Sequence, residues 1–214
     1  MKYGIIQHLK YLLNYSRTVI FLQLDLSHLP SEIDTYPYTI KEIDLNSNED
    51  IELWLDVVNN SYDDIKYNFS EAKEHLSKHH FLKFNKIFLL KEGKIPIATY
   101  GIGTYKNNPS IGGSNRLAVR KEYQGKGIGR LIFLYGLNKF KEIDIKYVEH
   151  IISIPRTASI LLHFKCGFIP QYNRKYVQYK KQKRFFVIRL LVNYKLKKIY
   201  KKYIDSLGSD FLKK

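Results

Sequence analysis

The sequence contains little cysteine, proline or glycine. Its single cysteine, Cys166, cannot form a disulfide bond within a chain of 214 residues. No CxxC pair or group of cysteines and histidines has the spacing of zinc ligands, so we expect no bound metal. Six prolines and 12 glycines are too few for a collagen-like or proline-rich chain. These shortages leave a globular protein of a reducing compartment.

The sequence also lacks a long apolar run. The apolar residues near the N-terminus are interrupted by Gln7, His8 and Lys10, far short of the ~20 apolar residues that cross a bilayer. We therefore expect neither a signal peptide nor a membrane span, and a cytoplasmic location.

Positive charge is concentrated near the C-terminal end. Lysine and arginine number 36 against 20 acidic residues, which gives a net charge of +16. Residues 172–214 contain 14 basic and 2 acidic residues and so contribute +12 of this charge. Basic tails can bind phosphates, but no recognised DNA- or RNA-binding module is present. We expect no nucleic-acid partner.

Hydrophobic periodicity and turn residues divide the chain into three parts. Residues 1–37 form an N-terminal helix-strand extension, residues 38–192 the main domain, and residues 193–214 a C-terminal helix. The predicted elements are a helix at 5–13, strands at Thr18–Leu26 and 38–44, a capped helix from Asn48, a helix at Ser70–Leu82, a hairpin at 86–106 with a Glu92-Gly93 turn, a polar loop at 107–113, a strand at Asn115–Arg120, a helix at Gly127–Glu142, a strand at Tyr147–Ile154 and a helix at Thr157–Lys165. This order predicts an α/β domain with a mixed sheet.

A glycine-rich turn joins a predicted strand to a predicted helix within LAVRKEYQGKGIGRL, residues 117–131. Such a turn leaves backbone N–H groups at a helix N-terminus, where bare donors and the helix dipole suit a pyrophosphate. Its glycines let the backbone approach a ligand, and its basic residues add charge. The turn matches neither the dinucleotide fingerprint nor the P-loop, and the alternative interpretation is a tight turn without a ligand.

Two motifs together resemble the GCN5-related N-acetyltransferase (GNAT) superfamily. One is Gln124-x-x-Gly127-x-Gly129 after the strand LAV, and the other is LHFKCGF at 162–168. The resemblance covers roughly residues 38–179 and implies a mixed, mostly antiparallel twisted sheet flanked by helices, with acetyl-CoA as acyl donor. The cofactor-binding residues that it implies are Leu117, Ala118, Val119, Gln124, Gly125, Lys126, Gly127, Ile128, Gly129 and Arg130.

The resemblance also implies direct attack by an amine on the thioester. The backbone of residues 117–119, next to a bulge, would pair with the pantetheine arm and point an N–H at the thioester carbonyl to stabilise the oxyanion. The amides of residues 124–129 and the Arg130 side chain would bind the pyrophosphate. No covalent nucleophile is needed, because orientation of the bound amine carries much of the catalysis.

The residues at the family's proton-transfer positions depart from the usual pattern. His163 replaces a usual tyrosine that protonates the leaving thiolate, and an unperturbed imidazole pKa of about 6.5 would suit that role; the alternative is a helix residue without one. Arg156 replaces a frequent asparagine and either binds an anion or is solvated. Glu149 or His150, on opposite faces of a strand, would deprotonate the amine or make structural hydrogen bonds. Cys166 is expected to be a core residue.

The C-terminal helix is amphipathic and basic. It can lie on an anionic membrane surface through residues 193–214, or its apolar stripe can pack on the domain while its lysines are solvated. Segments 175–179 and 185–192 are predicted to be closing strands. The apolar stripe comprises Leu196, Ile199, Tyr200, Tyr203, Ile204 and Leu207.

These observations predict a bacterial, acyl-CoA-dependent N-acetyltransferase acting on a small-molecule amine. The basic surroundings favour an anionic acceptor, such as a nucleotide-linked amino sugar. A protein or peptide amine is the second acceptor class. One alternative is a non-catalytic CoA-binding module of the same fold, because both customary polar residues of the second motif differ. Another is a peripheral enzyme of the inner membrane surface that acts on a lipid-linked acceptor.

Overall fold

The computed structural model describes residues 19–63, 66–77, 86–153, 157–171, 197–203 and 205. The chain divides into two compact units. The larger is Leu24–Glu149, and the smaller is formed by Met1–Gln23 and His150–Lys214. The domain boundaries expected after residues 37 and 192 stay predictions.

The described residues form seven strands and four α-helices. The strands are β1 (Val19–Asp25), β2 (Thr39–Glu42), β3 (Lys86–Glu92), β4 (Ile95–Tyr105), β5 (Asn108–Val119), β6 (Tyr147–Ser153) and β7 (Ile169–Pro170). The helices are α1 (Asn48–Asn59), α2 (Phe69–Ser77), α3 (Ile128–Lys139) and α4 (Thr157–Lys165), and residues 197–203 are also helical. In this described part of the chain, no helix has the length and apolarity that crossing a membrane requires.

The sheet of the larger unit has the strand order β2-β3-β4-β5-β6. The first four strands pair antiparallel, and β5 pairs parallel with β6. The β3–β4 hairpin closes between Glu92 and Ile95, where Gly93 has a φ of +58°. Glycine adopts this left-handed conformation without steric cost, which a two-residue hairpin turn needs. The prediction of a mixed, mostly antiparallel sheet is confirmed.

Helices cover both faces of this sheet. Ile87 of β3 packs in a core cluster with Trp54 of α1 and Leu76 of α2. The adjacent Phe88 instead contacts Tyr135 of α3, with ring centroids 5.4 Å apart. Because successive strand residues point to opposite faces, α1 and α2 lie on one face and α3 lies on the other.

The prediction of a polar loop at residues 107–113 is wrong. β5 begins at Asn108, which pairs with Tyr105, and continues through this stretch. Asparagine, proline and glycine have low strand propensity, but pairing with a neighbouring strand overrides local propensity. Gly112 is required here, because a Cβ at this position would approach the Phe140 ring to 2.8 Å.

Most other predicted elements of the larger unit are present with shifted ends. α3 ends at Lys139 rather than Glu142 and is followed by a short 3-10 helix at Lys141–Ile143. α2 ends at Ser77, and the rest of its predicted length lies outside the described residues. The helix predicted at 5–13, the strands predicted at 175–179 and 185–192, and Arg156 also lie outside them.

In the smaller unit, α4 ends in a glycine cap. Gly167 has a φ of +89°, and its N–H donates to the Phe164 carbonyl at 2.9 Å. The Phe168 N–H donates to the His163 carbonyl at 3.0 Å, which completes a Schellman motif. Elsewhere in this unit, β1 and β7 pair antiparallel through Leu22 and Pro170.

The helical residues 197–203 pack against α4 through aromatic side chains. The ring centroids of Tyr200 and Tyr203 lie 4.9 and 5.8 Å from that of Phe164. Part of the predicted apolar stripe therefore contacts the protein itself. The described lysines of the segment are exposed, namely Lys197, Lys198, Lys201 and Lys202.

Candidate active site

β5 contains a bulge near its C-terminal end. Between the pairs Gly101–Asn115 and Thr99–Ala118, β5 has one residue more than β4. Arg116, within the bulge, has a φ of +58°, which is uncommon for a residue with a side chain. Bulges interrupt pairing and re-aim side chains, often next to active sites. The segment expected to contact the acyl donor follows directly.

That segment, Leu117 to Val119, is held by hydrogen bonds to its carbonyl groups. The Tyr62 hydroxyl donates to the Leu117 carbonyl at 2.7 Å. The side-chain amide of Gln124 donates to the Val119 carbonyl at 2.8 Å. Ala118, between them, is 4% exposed and belongs to the core below α1 and α2. The strand end is therefore fixed by side chains from two other segments.

Five consecutive backbone N–H groups are available at the start of α3. The N–H groups of residues 125–129 have no acceptor within the described chain. Gly127 is the N-cap of α3 with a φ of +85°, and no side chain caps the helix. Gly125 has a φ of +77°, so both turn glycines occupy a conformation that other residues avoid. Unsatisfied donors at a helix N-terminus attract anions.

The turn has the space and charge that a pyrophosphate requires. A Cβ added at Gly125 or Gly127 would meet no atom within 4 Å, so the backbone surface is open there. Lys126 and Arg130 are exposed on it. The Ile128 side chain is buried in the core, so this residue offers a ligand only its N–H. The residues present therefore fit the pyrophosphate of acetyl-CoA.

Gln124 differs from the other residues of the predicted cofactor turn. Its N–H donates to the Lys121 carbonyl at 3.2 Å. Its side-chain amide donates to Ser61 at 3.2 Å as well as to Val119. The run of available N–H groups consequently begins at Gly125.

An aromatic cluster with one cation adjoins the bulge. The rings of Tyr67 and His75 stack with centroids 5.2 Å apart, and Trp54 lies 6.1 and 5.9 Å from them. The Arg116 guanidinium donates a hydrogen bond to the His75 carbonyl. Burial lowers the pKa of Arg116 to about 10, and desolvation together with the Arg116 charge lowers the pKa of His75. At neutral pH the cluster contains a charged arginine and a neutral histidine.

His150 and His163 form a buried pair in the smaller unit. His150 Nδ1 lies 2.6 Å from His163 Nε2, and His163 Nδ1 lies 2.6 Å from the Ser159 carbonyl oxygen. Because a carbonyl only accepts, His163 carries its proton on Nδ1 and its Nε2 accepts from His150 Nδ1–H. The Phe168 ring packs on both imidazoles.

The surroundings keep both histidines neutral. Burial lowers the pKa of His163 to about 4, although the hydrogen bond to Ser159 acts in the opposite direction. Burial and the adjacent His163 hold the pKa of His150 well below its ordinary value. The one proton of neutral His163 is donated to a backbone carbonyl, so it is not available to a leaving group.

Glu149 lies on the opposite face of β6 from His150. Along the strand, His150 shares a face with buried Val148, whereas Glu149, itself only 6% exposed, shares a face with Ile151, which is 50% exposed. Val148 pairs with Gly112, the last pair that β5 and β6 make in the described chain. Glu149 therefore follows the point where this pairing ends.

Residues 49–168, more than half of the chain, match the acetyltransferase (GNAT) family. The chain belongs to the GNAT acetyltransferase family. The superfamily that the two motifs predict is confirmed, and the GNAT fold family uses acetyl-CoA as cosubstrate. No curated protein matches the sequence at a significant level.

Solved structures share the GNAT fold with this chain at low identity. A functionally unknown conserved protein from Staphylococcus epidermidis has a TM-score of 0.55 and 15% identity, covering 76% of this chain and 62% of its own. A GCN5-related N-acetyltransferase from Sphaerobacter thermophilus has a TM-score of 0.53 and 13% identity. The match covers 78% of this chain and 53% of that protein. A tandem GNAT protein from the clavulanic acid biosynthesis pathway has a TM-score of 0.54 and 13% identity. The match covers 71% of this chain and 50% of that protein. This chain spans half to two thirds of those proteins, and the likeness shows the fold alone.

Within the GNAT chain, the structure brings together some predicted residues and adds others. The segments 117–119 and 124–130 are neighbours in the larger unit, which also contains Glu149. His163 instead pairs with His150 in the smaller unit. The contribution of Tyr62 and Arg116 could not be read from the sequence, because no motif marks a tyrosine hydroxyl bonded to a bulged strand or an arginine at positive φ. Among the described residues, no group of histidine, cysteine and acidic side chains could hold a metal ion.

Proposed function

We propose that the protein transfers the acetyl group of acetyl-CoA to the primary amine of a small anionic acceptor. The observation that carries this proposal is the run of five available N–H groups at residues 125–129, directly after a bulged strand. Membership of the GNAT family supports the same donor.

On the donor side, the backbone does most of the binding. The N–H groups of residues 125–129 bind the pyrophosphate, and Lys126 and Arg130 add positive charge. The backbone of residues 117–119 aligns the pantetheine arm, and an N–H of this segment stabilises the oxyanion. Loss of one such donor typically costs about 3–4 kcal/mol of transition-state stabilisation. Acetyl-CoA itself supplies the activated thioester.

Glu149 is our proposed general base. An alkyl amine must lose a proton before it attacks, and a carboxylate within reach of it accelerates that step. The position of Glu149 directly after the last β5–β6 pair supports this choice, whereas His150 points into the core and hydrogen-bonds to His163. We assign no acid role to His163, because its proton is held by Ser159. If the leaving thiol has a pKa near that of cysteine, about 8.5, its thiolate can take a proton from water.

Charge supports an anionic acceptor. Arg116 is a partly buried guanidinium beside the segment where the thioester would lie. A guanidinium pairs with a carboxylate or phosphate through two parallel hydrogen bonds. A nucleotide-linked amino sugar combines a primary amine with phosphates and therefore meets both requirements.

Thermal unfolding with and without acetyl-CoA tests the donor site. At ~100-fold excess over Kd, a ligand adds about 2.7 kcal/mol to the free energy of unfolding, and each kcal/mol raises Tm by ~2–4 °C at this size. We expect a rise of several degrees that the variant Gly127→Asp abolishes, because its carboxylate repels the pyrophosphate. Absence of a rise with acetyl-CoA, CoA and longer acyl-CoAs would remove the basis of the proposal.

Turnover separates the enzyme from its alternatives. Release of free thiol from acetyl-CoA is followed with panels of neutral, zwitterionic and phosphorylated primary amines. We expect release with phosphorylated or carboxylated amines. Acetyl-CoA binding without release for any amine would instead support the non-catalytic module. We propose a cytoplasmic location, and salt-sensitive attachment to anionic vesicles would support the membrane-associated alternative.

A further inference from the structure

The segment that follows α1 is joined to the cofactor strand and turn. Three consecutive residues of this segment, 60–62, each take part in one hydrogen bond to residues 117–124. These bonds run from the Lys121 N–H to the Asn60 carbonyl (3.1 Å), from Gln124 Nε2 to the Ser61 carbonyl (3.2 Å) and from the Tyr62 hydroxyl to the Leu117 carbonyl (2.7 Å).

Gln124 is the central residue of this junction. Its side-chain NH₂ group has two donors, and they are directed at the carbonyls of Ser61 and Val119. It thereby connects the end of α1, the end of β5 and the turn itself. Ser61 is in turn fixed to α1, because its hydroxyl donates to the Val57 carbonyl at 2.6 Å.

The turn between Gln124 and Ile128, whose side chain is buried, has little other support. Side chains at Gly125 and Gly127 would meet nothing within 4 Å, so packing does not restrain the backbone on that side. Glycines lose more conformational freedom than other residues when they become ordered. A short, glycine-rich turn of this kind needs an anchor at its start if its N–H groups are to point in one direction.

We propose that Gln124 is a positioning residue whose side-chain amide holds the N–H groups of residues 125–129 in the arrangement that binds the pyrophosphate. This inference rests on the proposed function, because it concerns the same acetyl-CoA site. It differs from the role that the family resemblance implies for Gln124, which is binding through its own backbone amide. That amide is already bonded to Lys121.

The inference predicts a specific pattern of ligand affinities. Gln124→Met keeps the length and bulk of the side chain but removes both donors. We expect it to weaken acetyl-CoA binding about tenfold, since net hydrogen-bond contributions are of order 1 kcal/mol each. S-acetylpantetheine lacks the pyrophosphate, so its affinity should change less than about twofold.

The affinities for the two ligands are measured by calorimetric titration of the full chain. Gln124→Arg, which restores donors of sufficient reach, should recover most of the acetyl-CoA affinity.

Matched variants separate positioning from general destabilisation. Gln171→Met removes another glutamine amide that donates a hydrogen bond, at 3.2 Å to Gln23, and should leave both affinities unchanged. If Gln124→Met does not fold, Gln124→Asn replaces it, because the shorter side chain cannot span both carbonyls. An equal loss for both ligands would reveal a merely structural role and overturn the inference.

The remaining outcomes distinguish this inference from the proposed function. If the wild-type chain binds acetyl-CoA and Gln124→Met binds it equally well, the positioning role is wrong and the proposed function stands. If the wild-type chain does not bind acetyl-CoA, the proposed function is wrong and the positioning role is overturned with it.

Discussion

At the scale of single residues, the buried histidine pair gives the protein a defined response to acid. The pKa of His163 falls to about 4 in the folded chain from the ordinary value of 6.5. Between these values the His163 side chain binds more protons in the unfolded chain, so its contribution to stability decreases as pH falls through this window and changes no further below it. The loss attributable to His163 is roughly 3 kcal/mol.

We expect His163→Gln to reduce this acid sensitivity. Its carboxamide oxygen can accept from His150 Nδ1–H without gaining a charge. Urea unfolding at about pH 7.5 and about pH 4.5 should give a smaller difference in the free energy of unfolding for this variant than for the wild type. His28→Gln, at an exposed position, serves as the control. An unchanged difference in His163→Gln would mean that His163 does not titrate in this range.

The proposed base is tested by removing only its charge. Glu149→Gln preserves the shape of the side chain but cannot accept a proton. We expect kcat/KM for the amine to fall by roughly 10²- to 10⁴-fold near neutral pH. The deficit should shrink as pH rises, because a growing fraction of the amine is then deprotonated in solution. Unchanged acetyl-CoA affinity is the control, and a deficit independent of pH would contradict the assignment.

At the scale of elements, α3 connects the cofactor turn to the sheet by a close helix–strand contact. Gly136 of α3 faces the Tyr100 ring of β4, and a Cβ on this glycine would lie far inside the contact distance of the ring. Tyr100 is fully buried and packs against Phe133 of the same helix. The ring therefore has no space to move away, and α3 would have to shift.

Gly136→Ala is accordingly expected to destabilise the protein. Alanine favours a helix by about 1 kcal/mol over glycine, but overpacking a filled core typically costs about 1–3 kcal/mol. We expect a net loss in the free energy of unfolding, measured by urea titration. Tyr100→Leu in the same chain should recover part of the loss. A gain in stability from Gly136→Ala alone would show that α3 adjusts its position freely.

The elements also show which features the sequence could predict. Helices and the β3–β4 hairpin follow from periodicity and turn residues, and the glycines at 125 and 127 mark the turn because their positive φ demands them. The strand at 108–113 could not be predicted, since most of its residues disfavour strands and pairing with β4 and β6 holds them. The bulge at Arg116 and the burial of His163 depend likewise on contacts distant in sequence. The two motifs therefore predicted the family, which the family match confirms, whereas the donor-side and proton-transfer residues stay predictions.

At the scale of the whole molecule, most of the net charge of +16 comes from the C-terminal residues 172–214. In the described part of that region, lysines are exposed while Tyr200 and Tyr203 contact Phe164. The helix therefore has an aromatic side that packs against Phe164 and a lysine side that faces solvent. The aromatic residues and the lysines can be altered independently.

We expect the aromatic contacts to support stability and the lysines to be dispensable for it. Tyr200→Ala with Tyr203→Ala removes half-buried rings and should cost roughly 2 kcal/mol, which lowers Tm by several degrees. Replacing Lys197, Lys198, Lys201 and Lys202 by Gln should leave Tm nearly unchanged, because exposed substitutions usually alter stability by less than about 0.5 kcal/mol. Co-sedimentation with anionic vesicles provides the second measurement. A peripheral helix that inserts its apolar stripe into the membrane would give the opposite pattern. The double alanine variant would then lose vesicle binding without losing stability, because the wild-type rings would contact lipid instead of Phe164.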